Sequence, residues 1–413
     1  MGQLFSNTPN DEDNGNLESS FTKYFRKYKP ETKIISEENI RSIELRLKKG
    51  DIQGANSVIS DILKNIDNAP INIAVTGESG AGKSSLINTL REIEHEEEGA
   101  AKVGVTETTT EAVSYKHPKV KNLTLWDLPG IGTMKFQPKD YLEKVEFKKY
   151  DFFIIASSTR FTKHELDLAK AIRIMKKNYY FVRTKVDVDL ENEEKCHPRT
   201  FNRETTLEDI QNYCLDGFKN NKIEEPKVFL ISNHSLSDYD FPLLMDTLIK
   251  DLPAEKRHNF LLSLPNITEA AIQKKYNSTK QFIWLDAMKD GLLATVPVVG
   301  ILKDLDMDRL KNILNHYRDL FGVDDESLMA MAKDSQVSVE LLKKKLKSPY
   351  LLELKEETLG GMLLNCLEKF ASANGGLLAT GLYFRKTYYL QFHFLDTVAE
   401  DAKVLLKEAY SKK

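Results

Sequence analysis

The chain has 413 residues, 41% of them hydrophobic, which is enough for a sizeable core in two domains or one enlarged one. Its 59 basic and 62 acidic residues nearly balance, and a net charge of −3 gives no electrostatic case for nucleic acid as a partner. The three cysteines, Cys196, Cys214 and Cys366, follow no zinc or redox spacing and point to a reduced, cytosolic setting.

The N-terminus is polar and carries no secretory signal. Residues 1–20, rich in Asn, Asp, Ser and Glu, are expected to be disordered. Phe21, Tyr24, Phe25 and Tyr28 then fall at i, i+3, i+4 and i+7 and predict a helix, with Lys23, Arg26 and Lys27 between them. A second helix fits Ser36–Lys49, and the two make an N-terminal helical segment over 21–68.

From 69 the pattern changes. Short apolar runs at Ile71–Val75, Leu123–Trp126, Phe152–Ala156, Tyr179–Val182 and Val228–Ile231 read as strands, several of them separated by helical patterns. Between two of them, Thr162 and Glu165 form a capping box ahead of a helix that shows Leu168, Ile172 and Met175 on one face. Strands alternating with helices predict an α/β domain over 69–253, a mostly parallel sheet with helices on both faces. Beyond it the strand signals stop. The most apolar run, Gly291–Leu302, is too short to span a bilayer. Helical patterns at Asp325–Asp334 and Val337–Lys345, with a break at Asn374-Gly375-Gly376, predict a helical domain over 254–413 that packs with the N-terminal helices.

Three motifs carry chemistry. The first is Gly77-Glu78-Ser79-Gly80-Ala81-Gly82-Lys83-Ser84, a full G-x-x-x-x-G-K-[ST] between a predicted strand and a predicted helix. Its glycines let successive N–H groups turn inward on phosphate oxygens, and the helix N-terminus adds partial positive charge. Lys83 brings a full charge to the β and γ phosphates, and Ser84 offers its hydroxyl to Mg²⁺. The expected phosphate contacts are Gly77, Ser79, Gly80, Ala81, Gly82, Lys83, Ser84 and Ser85.

The second motif is Asp127-Leu128-Pro129-Gly130, at the end of the next apolar strand. Asp127 is placed to hold Mg²⁺ through water and the Gly130 amide to sense the γ-phosphate. Ras-type GTPases follow that glycine with a Gln that orients water; this chain has Ile131, so hydrolysis should be slow or should use a group supplied by a partner. The third motif is Thr184-Lys185-Val186-Asp187. The Asp187 carboxylate can accept from N1–H and the N2 amino group of guanine, a donor pair adenine lacks. The Lys185 stem can cover the base, and Ser232 and Asn233 close the pocket. Thr184 stands where Asn is usual, so a hydrogen bond to the loop is expected to be lost. Between the first two motifs, one threonine of Thr106–Thr110 should complete the Mg²⁺ shell; the local sequence does not choose among them.

These motifs, with the strings Lys33–Ser36, Asn72–Glu78, Glu97–Lys102, Trp126–Gly132, Tyr150–Ile155, Tyr180–Lys185, Asp251–Pro253 and Lys256–His258, make nearly the whole chain resemble the interferon-inducible immunity-related GTPases of the GKS class. The resemblance implies a Ras-like domain on a helical platform, GTP/GDP and Mg²⁺ as ligands, and face-to-face dimers and higher oligomers that activate hydrolysis in trans. On that pattern Glu107 is the switch glutamate acting across the dimer, Thr109 the magnesium threonine, and Val103 and Gly104 lie at the nucleotide. It further implies related GTPases as regulators, residence on ER and Golgi membranes, and recruitment to vacuoles that enclose pathogens.

Met1-Gly2-Gln3-Leu4-Phe5-Ser6 fits the myristoylation pattern at Gly2. One myristoyl chain binds membranes only marginally, so a second contact is required. The Phe21–Tyr28 stripe and the Gly291–Leu302 run are the two candidates, with core packing the blander role for each. Intact Lys83, Ser84 and Asp127 favour an enzyme that turns GTP over. The missing Gln leaves a nucleotide-gated scaffold with little turnover as the alternative.

Overall fold

The computed structural model describes residues 17–104, 111–131, 138–158, 162–223, 227–293, 307–335, 337–351 and 378–410. These divide into two compact units. One takes in the described residues up to Asp67, Pro253–His258 and the described residues from Ile272 on; the other takes in those of Asn68–Leu252 with Asn259–Ala271.

The second unit is built on a six-stranded sheet of order β2-β3-β1-β4-β5-β6. In chain order its elements are β1 (Ile71–Gly77), α4 (Lys83–Leu90), β2 (Val113–Lys116), β3 (Leu123–Asp127), α5 (Pro138–Lys144), β4 (Phe152–Ser157), α6 (Lys163–Ile174), β5 (Asn178–Arg183), α7 (Val186–Cys196), α8 (Arg203–Asn220), β6 (Val228–Leu230) and α9 (Phe241–Asp251), the three helices α1–α3 preceding them in the chain. All pairs are parallel except β2 with β3.

The apolar runs are short and nearly continuous because both faces are covered. Ile73, Val75, Phe152, Ile154, Tyr180 and Val182 pack on one face with α4 and α9. Ala74, Phe153, Ile155 and Phe181 pack on the other with α5, α6 and α8. Phe260, Leu261 and Leu264 belong to the first of these cores, so residues 259–271 return to the sheet unit beyond the boundary at 253 that the sequence suggests. The β2 edge strand escapes the sequence pattern because Val113, Ser114 and Lys116 are exposed and alternate too briefly to register.

The other unit contains α1 (Leu17–Arg26), α2 (Glu37–Lys48) and α3 (Ile52–Asn68) from the N-terminal side. From the other end come α11 (Glu269–Leu293), which follows α10 (Ala254–Leu262), then α12 (Met307–Leu320), α13 (Asp325–Ser335), α14 (Val339–Lys345) and the long helix Leu378–Tyr410. Helix α1 begins at Leu17, inside the stretch expected to be disordered, since extending a formed helix costs far less than nucleating one. The Ser36 hydroxyl accepts from the Asn39 amide at 3.2 Å and starts α2. Phe21, Tyr24 and Phe25 are buried with Ile43, Ile59 and Ile66 around Trp284 of α11. The aromatic stripe of α1 is therefore core. The run from Gly291 lies mostly outside the described residues, as does the predicted break at Asn374-Gly375-Gly376. Among the described residues no helix is long and apolar enough to cross a membrane.

Candidate functional site: a nucleotide groove at one sheet edge

Register brings the motifs together. Val75 pairs with Asp127, Gly77 with Ala156, Ser157 with Arg183, and Arg183 with Leu230. The parallel strands thus end at one edge, and the loops after β1, β3, β5 and β6 all emerge there. This is where an open α/β sheet binds ligands.

The loop after β1 requires glycine. Gly77 has φ 138°, and a Cβ there would lie 2.0 Å from the Ala156 carbonyl oxygen. Gly80 and Gly82 take φ 77° and 76°, the left-handed region that side chains disfavour. Gly82 leads directly into α4, so the helix opens on its free N–H groups. Lys83 is 9% exposed; its Nζ donates to the carbonyls of Glu78 at 2.9 Å and Gly77 at 3.3 Å, which lays the ammonium back across the loop. Ser84 Oγ donates to Asp127 Oδ2 at 2.8 Å. Asp127 is 1% exposed, and burying a carboxylate is costly unless cationic or hydrogen-bonding partners face it. Two oxygen ligands suited to a hard cation therefore converge beside the helix N-terminus, which fits Mg²⁺.

The loop after β3 is tied to β1. The Leu128 amide donates to Val75 O at 2.9 Å and the Ile131 amide to Gly77 O at 3.4 Å. Tyr141 of α5 donates to Pro129 O at 2.9 Å and lies 2.8 Å from Thr76 Oγ1. Burial pushes that phenol's pKa well up, so it stays a neutral donor. Ile131 is 1% exposed and brings no polar group to the site.

At the other end of the groove Thr184 is wholly buried. Its Oγ1 lies 2.9 Å from Ala81 O and 3.2 Å from Ser157 O. The expected loss of a hydrogen bond to the loop is thereby corrected: the shorter hydroxyl reaches because β5 ends close against the phosphate loop. Lys185 Nζ donates to Gly80 O at 3.0 Å, joined there by Ser158 Oγ at 3.3 Å. Asn233 Nδ2 lies 3.4 Å from Gly82 O, and the Ser232 hydroxyl accepts from the His234 amide at 3.1 Å. Oδ1 of Asp187 and Oδ1 of Asn233 are buried atoms with no hydrogen bond among the described residues. A buried acceptor left unmade is costly, and a base offering N–H donors satisfies such an atom.

Ser79 lies in the loop after β1, Ser85 in the first turn of α4 and Gly130 in the loop after β3, whereas Val103, 50% exposed, and Gly104 lie in the connection between α4 and β2. Glu107, Thr109 and Gly2 fall outside the described residues. Sequence reasoning missed Tyr141, Ser158, Arg183 and Asp189. The first two act across 65 and 78 residues of chain and leave no local signal. Arg183 and Asp189 flank the base motif, and their opposite charges could have been noticed.

A glycine-rich loop carrying Lys83 and Ser84 after the central strand, with Asp127 ending β3 and the Asp187 carboxylate beyond β5, all on a mostly parallel sheet, fits the class of P-loop GTPases. A family model described as Interferon-inducible GTPase matches residues 36–409. The chain is 51% identical over 409 residues to Interferon-inducible GTPase 1 of Mus musculus, covering 99% of both chains. It is 50% identical to Interferon-gamma-inducible GTPase 10 of the same organism, covering 99% of this chain and 97% of that one. Among solved structures it is similar to an Aquifex aeolicus Era variant bound to GDP.AlF4−, with 17% identity, a TM-score of 0.31, and 55% and 68% of the two chains covered. The protein belongs to the interferon-inducible GTPase family, and it is a GTP-hydrolysing enzyme of the interferon response.

Proposed function

We propose that this chain binds GTP with its phosphates in the loop Gly77–Ser85 and its base against Asp187, and completes hydrolysis in assemblies of its own copies on intracellular membranes. The observation that carries this reading is the convergence of Lys83, the Ser84–Asp127 pair and the Asp187 acceptor on one sheet edge. Backbone amides and the Lys83 ammonium hold the β and γ phosphates, and Asp187 selects guanine. Ser84 and Asp127, with Thr109 from the first switch, would hold Mg²⁺, which would supply positive charge against the triphosphate.

The buried Ile131 supplies nothing to orient water. That favours a second copy as the source of the missing group, with Glu107 acting across a face-to-face dimer and Val103 and Gly104 at its rim. A myristoyl chain on Gly2 would bring such assemblies to ER and Golgi membranes and to pathogen-containing vacuoles, where related GTPases regulate them in cell-autonomous defence. GTP turnover and particle size, measured together against protein concentration, test the reading. Specific activity should rise as GTP-dependent oligomers form. Flat specific activity from monomers to assembled material would overturn the trans mechanism.

A further inference from the structure

The loop that carries Asp187 is bracketed by an ion pair outside every nucleotide motif. Arg183 is the last residue of β5 and Asp189 lies in the first turn of α7; Arg183 Nη2 meets Asp189 Oδ2 at 2.5 Å, with the Arg183 side chain 9% exposed. Between them the backbone bends sharply. Lys185 takes φ 58°, a left-handed conformation that costs a side-chain-bearing residue, and no side chain caps α7. Such strain persists only where the surroundings over-determine it.

On the near side the bend is held by backbone bonds. The Thr184 amide donates to Ser157 O at 2.8 Å, the Ile231 amide to Arg183 O at 2.8 Å, and the Val186 amide to Ile231 O at 3.3 Å. On the far side the Arg183–Asp189 pair ties the start of α7 back to the strand end. Asp187 thus sits between two fixed points, with its buried Oδ1 uncommitted to any hydrogen bond among the described residues.

We propose that Arg183 and Asp189 are positioning residues for base recognition: their ion pair sets the orientation of the Asp187 carboxylate, and with it the discrimination of guanine from hypoxanthine. This rests on the reading of Asp187 as the guanine acceptor. Guanine offers N1–H and the N2 amino group, and hypoxanthine offers N1–H alone. A carboxylate held in the plane of the base takes both donors of guanine. One free to swing keeps a single good bond, so loosening the clamp costs guanine more than hypoxanthine.

The test is competitive displacement of a fluorescent GDP from the full chain by GDP, IDP and ADP. The wild-type protein should prefer GDP over IDP by on the order of tenfold or more, the worth of one charge-assisted hydrogen bond. Arg183→Met and Asp189→Asn should each cut that preference to about threefold or less, and Arg183→Lys should keep most of it. GDP and IDP weakening in parallel, with the preference unchanged in the variants, would show a merely structural pair and overturn the proposal. Asp189→Asn keeps the side-chain volume and decides the matter where Arg183→Met does not fold. Equal affinity of the wild-type protein for GDP and ADP would instead sink the base reading itself, which separates the two failures.

Discussion

Thr184 shows how far one side chain can be read from its neighbours in sequence. A threonine hydroxyl carries one proton, so it donates to one carbonyl at a time, and here Ala81 O at 2.9 Å is nearer than Ser157 O at 3.2 Å. The base loop is thereby fastened to the phosphate loop by a residue shorter than the usual Asn. Thr184→Val keeps the shape and removes the donor at a position with no exposure. It should cost about 1–2 kcal/mol of stability and about tenfold in GDP affinity, while Thr184→Ser stays close to wild type. Urea unfolding and GDP titration of both variants check this; a valine variant that binds like wild type would show that the tie is idle. Lys83, Ser84, Asp127 and Asp187 are legible in the sequence because each sits at a fixed offset from a strand end. Tyr141 is not, because its partners Thr76 and Pro129 become neighbours only when α5 packs against the sheet.

At the scale of elements, the strands declared themselves as apolar runs because both sheet faces are buried, whereas β2 stayed hidden at an exposed edge. The capping box of α6 is equally legible and is fully formed: the Thr162 amide donates to Glu165 Oε2 at 2.9 Å, and the Glu165 amide to Thr162 Oγ1 at 3.4 Å. Its burial is not legible. Glu165 is 1% exposed, and that burial pushes its carboxyl from 4.5 up to about 7, against the opposing hydrogen bonds from Thr162 and Ser157. The folded chain then holds this proton more tightly than the unfolded chain. The resulting stabilisation is present in full below pH 4.5, declines as pH rises, and is lost above pH 7, a swing of about 3 kcal/mol at most. Glu165→Gln mimics the protonated form and should flatten this part of the profile, with its largest gain over wild type near pH 8. Urea midpoints at pH 5, 6, 7 and 8 decide it: parallel profiles for the two proteins would mean that Glu165 does not titrate in this range.

At the scale of the whole molecule, the aromatic stripe of α1 illustrates a signal that sequence alone leaves ambiguous. An amphipathic face looks the same whether it is to meet lipid or protein. The structure commits it to protein: Tyr24 stacks on Trp284 with ring centroids 4.4 Å apart and planes 10° apart, and Phe21 and Phe25 contact the same indole at 5.7 and 5.6 Å. These aromatics are spent on the core of the helical unit, so substituting them should cost folding rather than membrane affinity. The chain's two tryptophans make this measurable, because Trp284 belongs to that unit and Trp126 to the sheet unit. With Trp126→Phe as background, Tyr24→Ala should lower the stability reported by Trp284 fluorescence by about 3 kcal/mol or more, the usual consequence of emptying an aromatic site in a packed core. With Trp284→Phe as background, GDP at a hundred times its Kd should raise the stability reported by Trp126 by about 2.7 kcal/mol, because only the folded sheet unit offers the phosphate loop. A Trp284 transition that ignores Tyr24→Ala would mean that the N-terminal helices are not held on α11, and the α1 stripe would again be available to a membrane.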